Sequence, residues 1–217
     1  MTFVTPRDAA VNSGSDRATH RTQGPAQQRR PCGQHGGLAG ATTVSLAADG
    51  QWVGFNVSDL DAVSHGVEWI DNANSLSPQF GSPLSFAFTV AAGFTGYLNI
   101  VDAGFSGDTF SIRNHGTLLG LTSAVPVTRF DTAVDRGLDY AAAFADRANF
   151  SSTTFALGAG SYVITGSLAQ SLLFDGLPLN ATAGALNLTM APVPEPATLA
   201  AMLLGLGLVA CAACRRG

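Results

Sequence analysis

The sequence predicts an all-β protein: an antiparallel β-sandwich of jelly-roll or immunoglobulin-like type, followed by a single transmembrane helix at the C-terminus. Three observations carry this prediction. The 217 residues are 46% hydrophobic and 12% charged, so the chain has enough apolar side chains for a core. The 25 glycines show no three-residue period, which indicates turns and excludes a collagen-like repeat. Short apolar runs recur between Asp, Asn, Gly, Ser and Pro, at the spacing typical of a sandwich.

Seven segments have the period-two patterning, or the β-branched and aromatic content, of strands. They are 51–57, 84–90, 97–101, 109–113, 117–122, 161–165 and 185–190. The segment 135–149 reads DRGLDYAAAFADRAN and is rich in alanine. Its apolar residues lie near helical spacing, so it predicts one short helix or a long ordered loop inserted between strands.

Two turns predict hairpins between these strands. Residues 113–117 read RNHGT, and we expect Asn114 and Gly116 to adopt positive φ in the turn. Residues 155–166 read FALGAGSYVITG, where the central Gly-Ala-Gly is expected to join two apolar strands of a second hairpin.

The charge of the predicted sandwich, residues 42–190, is strongly negative. It contains four arginines, no lysine and twelve acidic residues, a net charge of −8. Such a surface is a poor partner for nucleic acid, and we expect no nucleic-acid interface. Solubility outside the cell is the simpler reason for the charge.

Residues 191–217 differ in composition from the sandwich. Pro194, Glu195 and Pro196 precede an apolar stretch, 197–214, and Arg215 and Arg216 follow it. About 18 residues at about 1.5 Å each make about 27 Å of helix, enough to cross a thin bilayer core. The two arginines mark the cytoplasmic side. The simplest interpretation is a plain C-terminal anchor.

This order of motif, helix and basic end closely resembles the PEP-CTERM sorting signal of Gram-negative bacteria. In that family a membrane-embedded exosortase recognises the Pro-Glu-Pro tripeptide and processes the protein for release or surface attachment. The resemblance implies that Pro194, Glu195 and Pro196 are the recognition residues and that an exosortase is a partner. It also implies export, with an intermediate in the inner membrane and a final place at the cell surface or outside the cell.

The N-terminal segment, residues 1–41, conflicts with export because it contains no apolar run that would serve as a signal peptide. It ends, however, in Ala39-Gly40-Ala41, an A-x-A cleavage pattern in which Ala39 and Ala41 are the small residues. We interpret residues 1–41 as a misframed segment in place of a signal peptide encoded upstream or in another frame. The alternative is a genuine disordered arm.

A second resemblance covers residues 97–123, YLNIVDAGFSGDTFSIRNHGTLLGLTS, which look like the central pattern of many PEP-CTERM ectodomains. It implies a secreted β-domain of unassigned activity. The matching residues are Asp102, Ala103, Gly107, Asp108, Phe110, Asn114, Gly116, Leu119, Gly120 and Thr122.

Two pairs of residues are candidates for binding. Asp102 and Asp108 flank a glycine-rich loop and could give oxygens to Ca²⁺, although the spacing lacks the further acids of an EF-hand loop. Turn formation is the alternative role for these aspartates. Trp52 and Trp69 could stack on a sugar ring if they were exposed, and core packing is their alternative. No other cofactor is expected.

Catalysis has little support in the sequence. Ser106 lies in GFSGD, which is not the G-x-S-x-G of a nucleophile elbow, and the sandwich contains only His65 and His115 as candidate bases. We therefore predict that the protein is not an enzyme. The predicted function is a structural or adhesive component of the cell surface or of a biofilm matrix. The alternatives are a carbohydrate-binding module, since the resemblance implies an association with exopolysaccharide, and a secreted hydrolase.

Overall fold

The computed structural model describes residues 40–194. The predicted transmembrane helix 197–214, Arg215 and Arg216 lie outside these residues, and so does most of the N-terminal segment. The described elements are β1 (Thr42–Ser45), β2 (Val53–Ser58), β3 (Leu84–Val90), β4 (Phe94–Phe105), β5 (Thr109–Asn114), β6 (Thr117–Leu121), β7 (Asp135–Gly137), α1 (Tyr140–Ala145), β8 (Ser152–Leu157), β9 (Gly160–Gln170), β10 (Leu173–Phe174), β11 (Leu177–Pro178) and β12 (Ala181–Pro192).

The strands form two main sheets. The first has the order β1-β3-β9-β5-β6, and the second has the order β2-β12-β4-β7 with β8 also paired to β4. Phe86 and Ile164 of the first sheet share one buried cluster with Ile100 and Leu186 of the second. The two sheets therefore enclose a common core, and the prediction of an all-β fold is confirmed.

One strand pair departs from the predicted antiparallel arrangement. β1 pairs with β3 in parallel, with Thr42 opposite Leu84. The chain between these strands, residues 46–83, passes through β2 in the other sheet. Such a long crossover is what a parallel pair requires, whereas a short turn would have forced an antiparallel one.

The centre of the core is an aromatic cluster around Trp69. Its ring is stacked on Phe55, with ring centroids 3.9 Å apart, and meets Phe86 and Phe110 edge to face. Gly166 lies directly under the indole, where a Cβ would collide with the ring. The close approach of backbone to ring explains why a glycine stands in the middle of strand β9.

The alanine-rich insertion forms a helix shorter than the segment that predicted it. α1 begins after Asp139, whose side chain accepts a hydrogen bond from the Ala142 N–H at 3.0 Å. Residues 135–137 of the same segment form β7 instead. Ala143 packs with Val101 and Ala185 in a second cluster, so α1 covers the outer face of the second sheet.

Of the two predicted hairpins, one is correct. β5 and β6 pair antiparallel, but the positive φ angles belong to His115 (47°) and Gly116 (78°), while the Asn114 side chain accepts from the Val163 N–H. The second hairpin is wrong. β8 pairs with β4 and β9 pairs with β3 and β5, so the turn at 158–160 carries the chain from one sheet to the other.

Within residues 40–194 the structure contains no helix with the length and apolar character needed to cross a membrane.

Candidate functional site

The sorting motif begins where the second sheet ends. β12 is a central strand, paired on one side with β2 and on the other with β4 up to the pair Pro192 and Phe94. The Val193 N–H donates to the Gly93 carbonyl at 2.8 Å, and Pro194 follows. Glu195 and Pro196 lie outside the described residues. The motif is therefore joined to the body by a single residue after the last paired strand position. At the other end of the described chain, Ala41 directly precedes β1.

The opposite end of β12 defines what we call the distal end of the body. β12 is twelve residues long, which at about 3.4 Å per residue separates its ends by roughly 40 Å. Near the distal end, Ala183 pairs with Ala103, just before the turn 104–108. Backbone hydrogen bonds join this turn to the loop 122–134, and the loop to the hairpin 173–178. Two features of chemical interest occur here: a buried carboxyl pair and a surface pocket.

The carboxyl pair consists of Asp102 and Asp108, which flank the glycine-rich loop predicted from the sequence. Both side chains are fully buried. β4 ends in a register shift at Gly104, and the chain then crosses to β5 in the first sheet, so the turn brings the two aspartates together between the sheets. The Asp108 N–H donates to Asp102 Oδ2 at 3.3 Å. The Leu172 N–H donates to Asp108 Oδ1 at 2.8 Å.

Burial controls the ionisation of both groups. Desolvation raises the pKa of Asp102 well above its usual value, and the neighbouring charge of Asp108 raises it further. Desolvation also raises the pKa of Asp108, to about 6. A hydrogen bond from the Thr182 hydroxyl opposes this rise in the pKa of Asp108, although the same hydroxyl also donates to the Ala183 carbonyl at 3.4 Å. Asp102 Oδ1 and Asp108 Oδ2 have no hydrogen-bond partner.

The environment of this pair suits protonated carboxyl groups better than a bound metal ion. Ca²⁺ takes six to eight oxygen ligands, whereas no group of three or more His, Cys, Asp or Glu side chains converges anywhere in residues 40–194. A protonated carboxyl, in contrast, carries no charge, so burial without a counter-ion favours this form of both groups. Calcium binding at Asp102 and Asp108 stays a prediction.

The two tryptophans do not form one surface. Trp69 is in the core with 0% of its surface exposed, so the prediction that it stacks on a sugar is wrong and its core alternative is correct. Trp52 lies on the other side of the second sheet, where it is half-buried against Phe144 and Tyr140 of α1. Stacking by Trp52 is left as a prediction.

Ser106 and His115, which were considered for a hydrolase, lie in different parts of the fold. Ser106 is buried, and its Oγ accepts a hydrogen bond from the Val134 N–H at 3.0 Å. His115 lies in the turn between β5 and β6, beyond the far end of β5 from Ser106. These two residues are therefore not brought together.

The pocket at the distal end was not found by sequence reasoning. It is a cavity of about 120 Å³, which we call the distal pocket. It combines aromatic, aliphatic and charged side chains. They are Arg129, Phe130, Asp131, Leu173, Phe174 and Asp175.

Backbone hydrogen bonds hold the two sides of the distal pocket together. The Phe130 N–H donates to the Leu173 carbonyl at 2.8 Å, and the Leu173 N–H donates to the Thr128 carbonyl at 2.9 Å. The rings of Phe130 and Phe174 consequently meet edge to face, with their centroids 5.7 Å apart. The ring of Phe105 also packs against Phe130, with a centroid distance of 4.5 Å. Hydrogen bonds between backbone segments therefore hold the two walls of the pocket in place.

A signal for this pocket was present in the sequence as FDGL at 174–177. Asp-Gly between apolar residues predicts a two-residue hairpin turn of type I′, and Asp175 (φ 50°) and Gly176 (φ 81°) adopt it. A turn this tight exposes the side chains on both sides of it. The partner loop, which contributes Phe130, has no such signal.

A larger cavity, of about 360 Å³, lies between the edge strands β1 and β2. Its lining mixes apolar residues such as Val44 and Leu84 with Asn56, Asp71 and Asn72. Thr42 Oγ1 donates to Asp71 Oδ2 at 2.9 Å, so part of the polar lining is already paired within the protein.

Comparison with known proteins identifies the C-terminal segment. The model of the PEP-CTERM protein-sorting motif matches residues 192–216. No curated protein matches the chain. Among solved structures, the pre-peptidase C-terminal domain of a Bacillus anthracis collagenase aligns with a TM-score of 0.33 and 9% identity, over 69% of this chain and 95% of that domain. PliG, a periplasmic inhibitor of g-type lysozyme from Aeromonas hydrophila, aligns with a TM-score of 0.31 and 12% identity, over 70% of this chain and 97% of that protein.

Proposed function

The chain carries a PEP-CTERM sorting signal, and from this premise we propose that it is an exported substrate of an exosortase whose β-body has a structural or adhesive role. The protein passes through the inner membrane, is processed at the Pro-Glu-Pro motif, and places its body at the cell surface or in an extracellular matrix. No enzymatic activity is proposed.

The observation that supports this function best is the position of the motif relative to the fold. Every strand pair of the described body is complete by Pro192, and the last backbone hydrogen bond is donated by Val193. Processing within or beyond the motif would therefore remove no paired residue. A body whose strand pairing is complete without the signal can keep its fold after the signal is removed.

The charge and the chemistry of the body support a non-catalytic role. A net charge of −8 over residues 42–190, without lysine, favours solubility and mutual repulsion of copies outside the cell. The buried carboxyl pair has no access for a substrate, since both side chains are fully buried.

The test is the mass of the protein in its own host. Intact mass is measured separately on the membrane and extracellular fractions, for the native chain and for the triple variant Pro194→Ala, Glu195→Ala and Pro196→Ala. We expect the native protein to begin near Thr42 and to end near the motif, and the variant to keep its C-terminal segment in the membrane fraction.

A matched control for the test is Glu68→Ala, which removes one acidic residue of the body and should leave processing unchanged. A full-length native protein in the cytoplasm would contradict the proposal. Normal processing of the triple variant would contradict the role of the motif.

Carbohydrate binding is the second candidate function, and one observation favours it. The distal pocket presents two phenylalanine rings next to carboxylate and guanidinium groups, a combination of an apolar surface with hydrogen-bonding groups that suits a sugar. It lies at the distal end of the body, and the length of β12 separates that end by roughly 40 Å from Pro194, the first residue of the motif.

A further inference from the structure

We propose that the distal pocket binds a neutral saccharide, with one face of a sugar ring stacked on Phe174, the edge of the sugar beside Phe130, and its hydroxyls on Asp131, Asp175 and Arg129. This inference deepens the second candidate function and rests on it, but it does not depend on how the chain is sorted. It assigns a ligand class, neutral saccharides, to the body. It places the binding site in the distal pocket and not at Trp52 and Trp69, the residues that the sequence predicted for sugar stacking.

The aromatic rings of the pocket are exposed to solvent and are not part of the hydrophobic core. Phe174 is 51% exposed and Phe130 is 37% exposed, whereas Phe55, Phe86 and Phe110 are buried. Phe174 and Phe130 meet edge to face, so the edge of one ring lies against part of a face of the other. Phe130 also packs against Phe105, which leaves Phe174 as the more open of the two rings. The apolar face of a pyranose ring is the kind of flat surface that such an exposed ring accepts.

The polar groups restrict the chemistry of the ligand. A guanidinium only donates hydrogen bonds, and an ionised carboxylate only accepts them. Arg129 and Asp131 are joined by an ion pair at 3.2 Å, which leaves further donors on the guanidinium and further acceptors on the carboxylate. A ligand that satisfies both must donate and accept, and a hydroxyl group does both.

Charges and hydrogen-bonding groups together disfavour the competing ligand classes. An organic ammonium ion such as choline would find two carboxylates and aromatic rings, but its single hydroxyl is the only acceptor that it offers to the guanidinium of Arg129. An acidic sugar would meet two carboxylates for one guanidinium on a body of net charge −8. A neutral polyol avoids both conflicts.

The fold holds the binding groups in place before the ligand arrives. The hydrogen bonds between Thr128, Phe130 and Leu173 fix the loop against β10. The Gln170 amide donates to the carbonyls of Gly107 and Val125, at 2.8 and 3.2 Å, and ties the base of the same loop to the turn 104–108. Less ordering is therefore required on binding than for a free loop.

The experiment is calorimetry and saturation-transfer NMR on the protein purified from its host. The probes are three neutral tetrasaccharides, of glucose, mannose and N-acetylglucosamine, together with tetragalacturonate and choline. We expect at least one neutral probe to bind, and no measurable binding of tetragalacturonate or choline.

Variants locate the binding. Phe174→Ala should weaken the affinity for the neutral probe at least tenfold. Asp175→Asn keeps the turn, since asparagine tolerates the left-handed conformation, and should weaken the affinity several-fold. The matched control is Phe94→Ala, which removes another exposed phenylalanine (40% exposed) at the end of β4 that pairs with Pro192 and should leave binding unchanged.

Three results would overturn the proposal: no binding of any neutral probe, tighter binding of tetragalacturonate or choline, or equal binding by the Phe174→Ala and native proteins. Unfolding curves of each variant show whether a loss of binding reflects a loss of the fold. The sorting proposal is judged by protein mass alone, so either proposal can fail while the other stands.

Discussion

The buried pair of Asp102 and Asp108 predicts that the protein loses stability as the pH rises from 4 to 7. The pKa of each group in the folded protein is raised, chiefly by desolvation, above its ordinary value of 3.8. The stabilising contribution of such a group is fully present below the unfolded pKa and is lost as the pH rises through the folded pKa. The expected trend is thus opposite to acid denaturation.

The magnitude follows from Asp108. Its pKa rises from 3.8 to about 6, and each unit corresponds to about 1.4 kcal/mol. Ionisation of Asp108 therefore lowers the free energy of unfolding by about 3 kcal/mol in full, of which about 2 kcal/mol falls between pH 4 and pH 7, because the unfolded carboxyl is already more than half ionised at pH 4. Asp102 acts in the same direction. Asp146 acts in the opposite direction, because hydrogen bonds from Asn149 and Arg136 lower its pKa, but its contribution is lost only as the pH falls below 3.8.

The assay is denaturant unfolding at pH 4, 5, 6 and 7, for the native protein and for the double variant Asp102→Asn with Asp108→Asn. An amide in place of each carboxyl can still accept the N–H bonds of Asp108 and Leu172 and cannot ionise. The double variant should therefore show a flat profile and exceed the native protein in stability at pH 7. The control Asp49→Asn, at an exposed turn residue, should keep the native slope.

Two results would refute the reasoning. A native free energy of unfolding that is constant or rises between pH 4 and pH 7 would show that the carboxyl groups are not held protonated by burial. A double variant with the native slope would show that other groups are responsible for the pH dependence. Added Ca²⁺ tests the competing role of the pair, because a bound cation would raise the melting temperature of the native protein and not that of the double variant.

Two further substitutions test the packing. Gly166→Ala places a methyl group against the Trp69 ring and should lower stability by about 1–3 kcal/mol through overpacking, measured by thermal unfolding; Gly158→Ala, where a Cβ has open space, is its control, and equal effects would disprove the close contact. Asp139→Ala removes the N-terminal cap of α1 and should cost about 1 kcal/mol in denaturant unfolding. An effect no larger than that of the exposed variant Asp61→Ala would show that the cap contributes nothing.

Features that depend on adjacent residues could be predicted from the sequence. The sorting signal is a contiguous order of motif, apolar run and arginines, and the match over residues 192–216 confirms its recognition. Most strands were located because alternation of side chains along a strand depends on neighbours alone. The turn between β5 and β6 was found for the same reason, since Gly116 permits the positive φ that the turn requires.

The partner of a strand is not a local property, and here the prediction failed. β8 has the same alternation whether it pairs with β9 or with β4, and only packing of Phe155 over Gly120 and of Leu157 in the core shows which face is covered. The parallel pairing of β1 was likewise decided by the path of the chain through the other sheet. The alternation of side chains shows which face of a strand is buried, whereas the order of strands in the sheet determines which strand it pairs with.

The chemistry of the body was decided by the tertiary structure. Asp102 and Asp108 stand in a glycine-rich stretch that looks like an exposed loop, and they are buried because the strands on either side belong to different sheets. Phe130 and Phe174 become neighbours only when β10 binds the loop before β7. The sequence alone determined the sorting signal, because that signal is read from consecutive residues. The folded chain decided which carboxyl groups are buried and which phenylalanine rings are exposed, because burial and proximity arise between residues that are far apart along the chain.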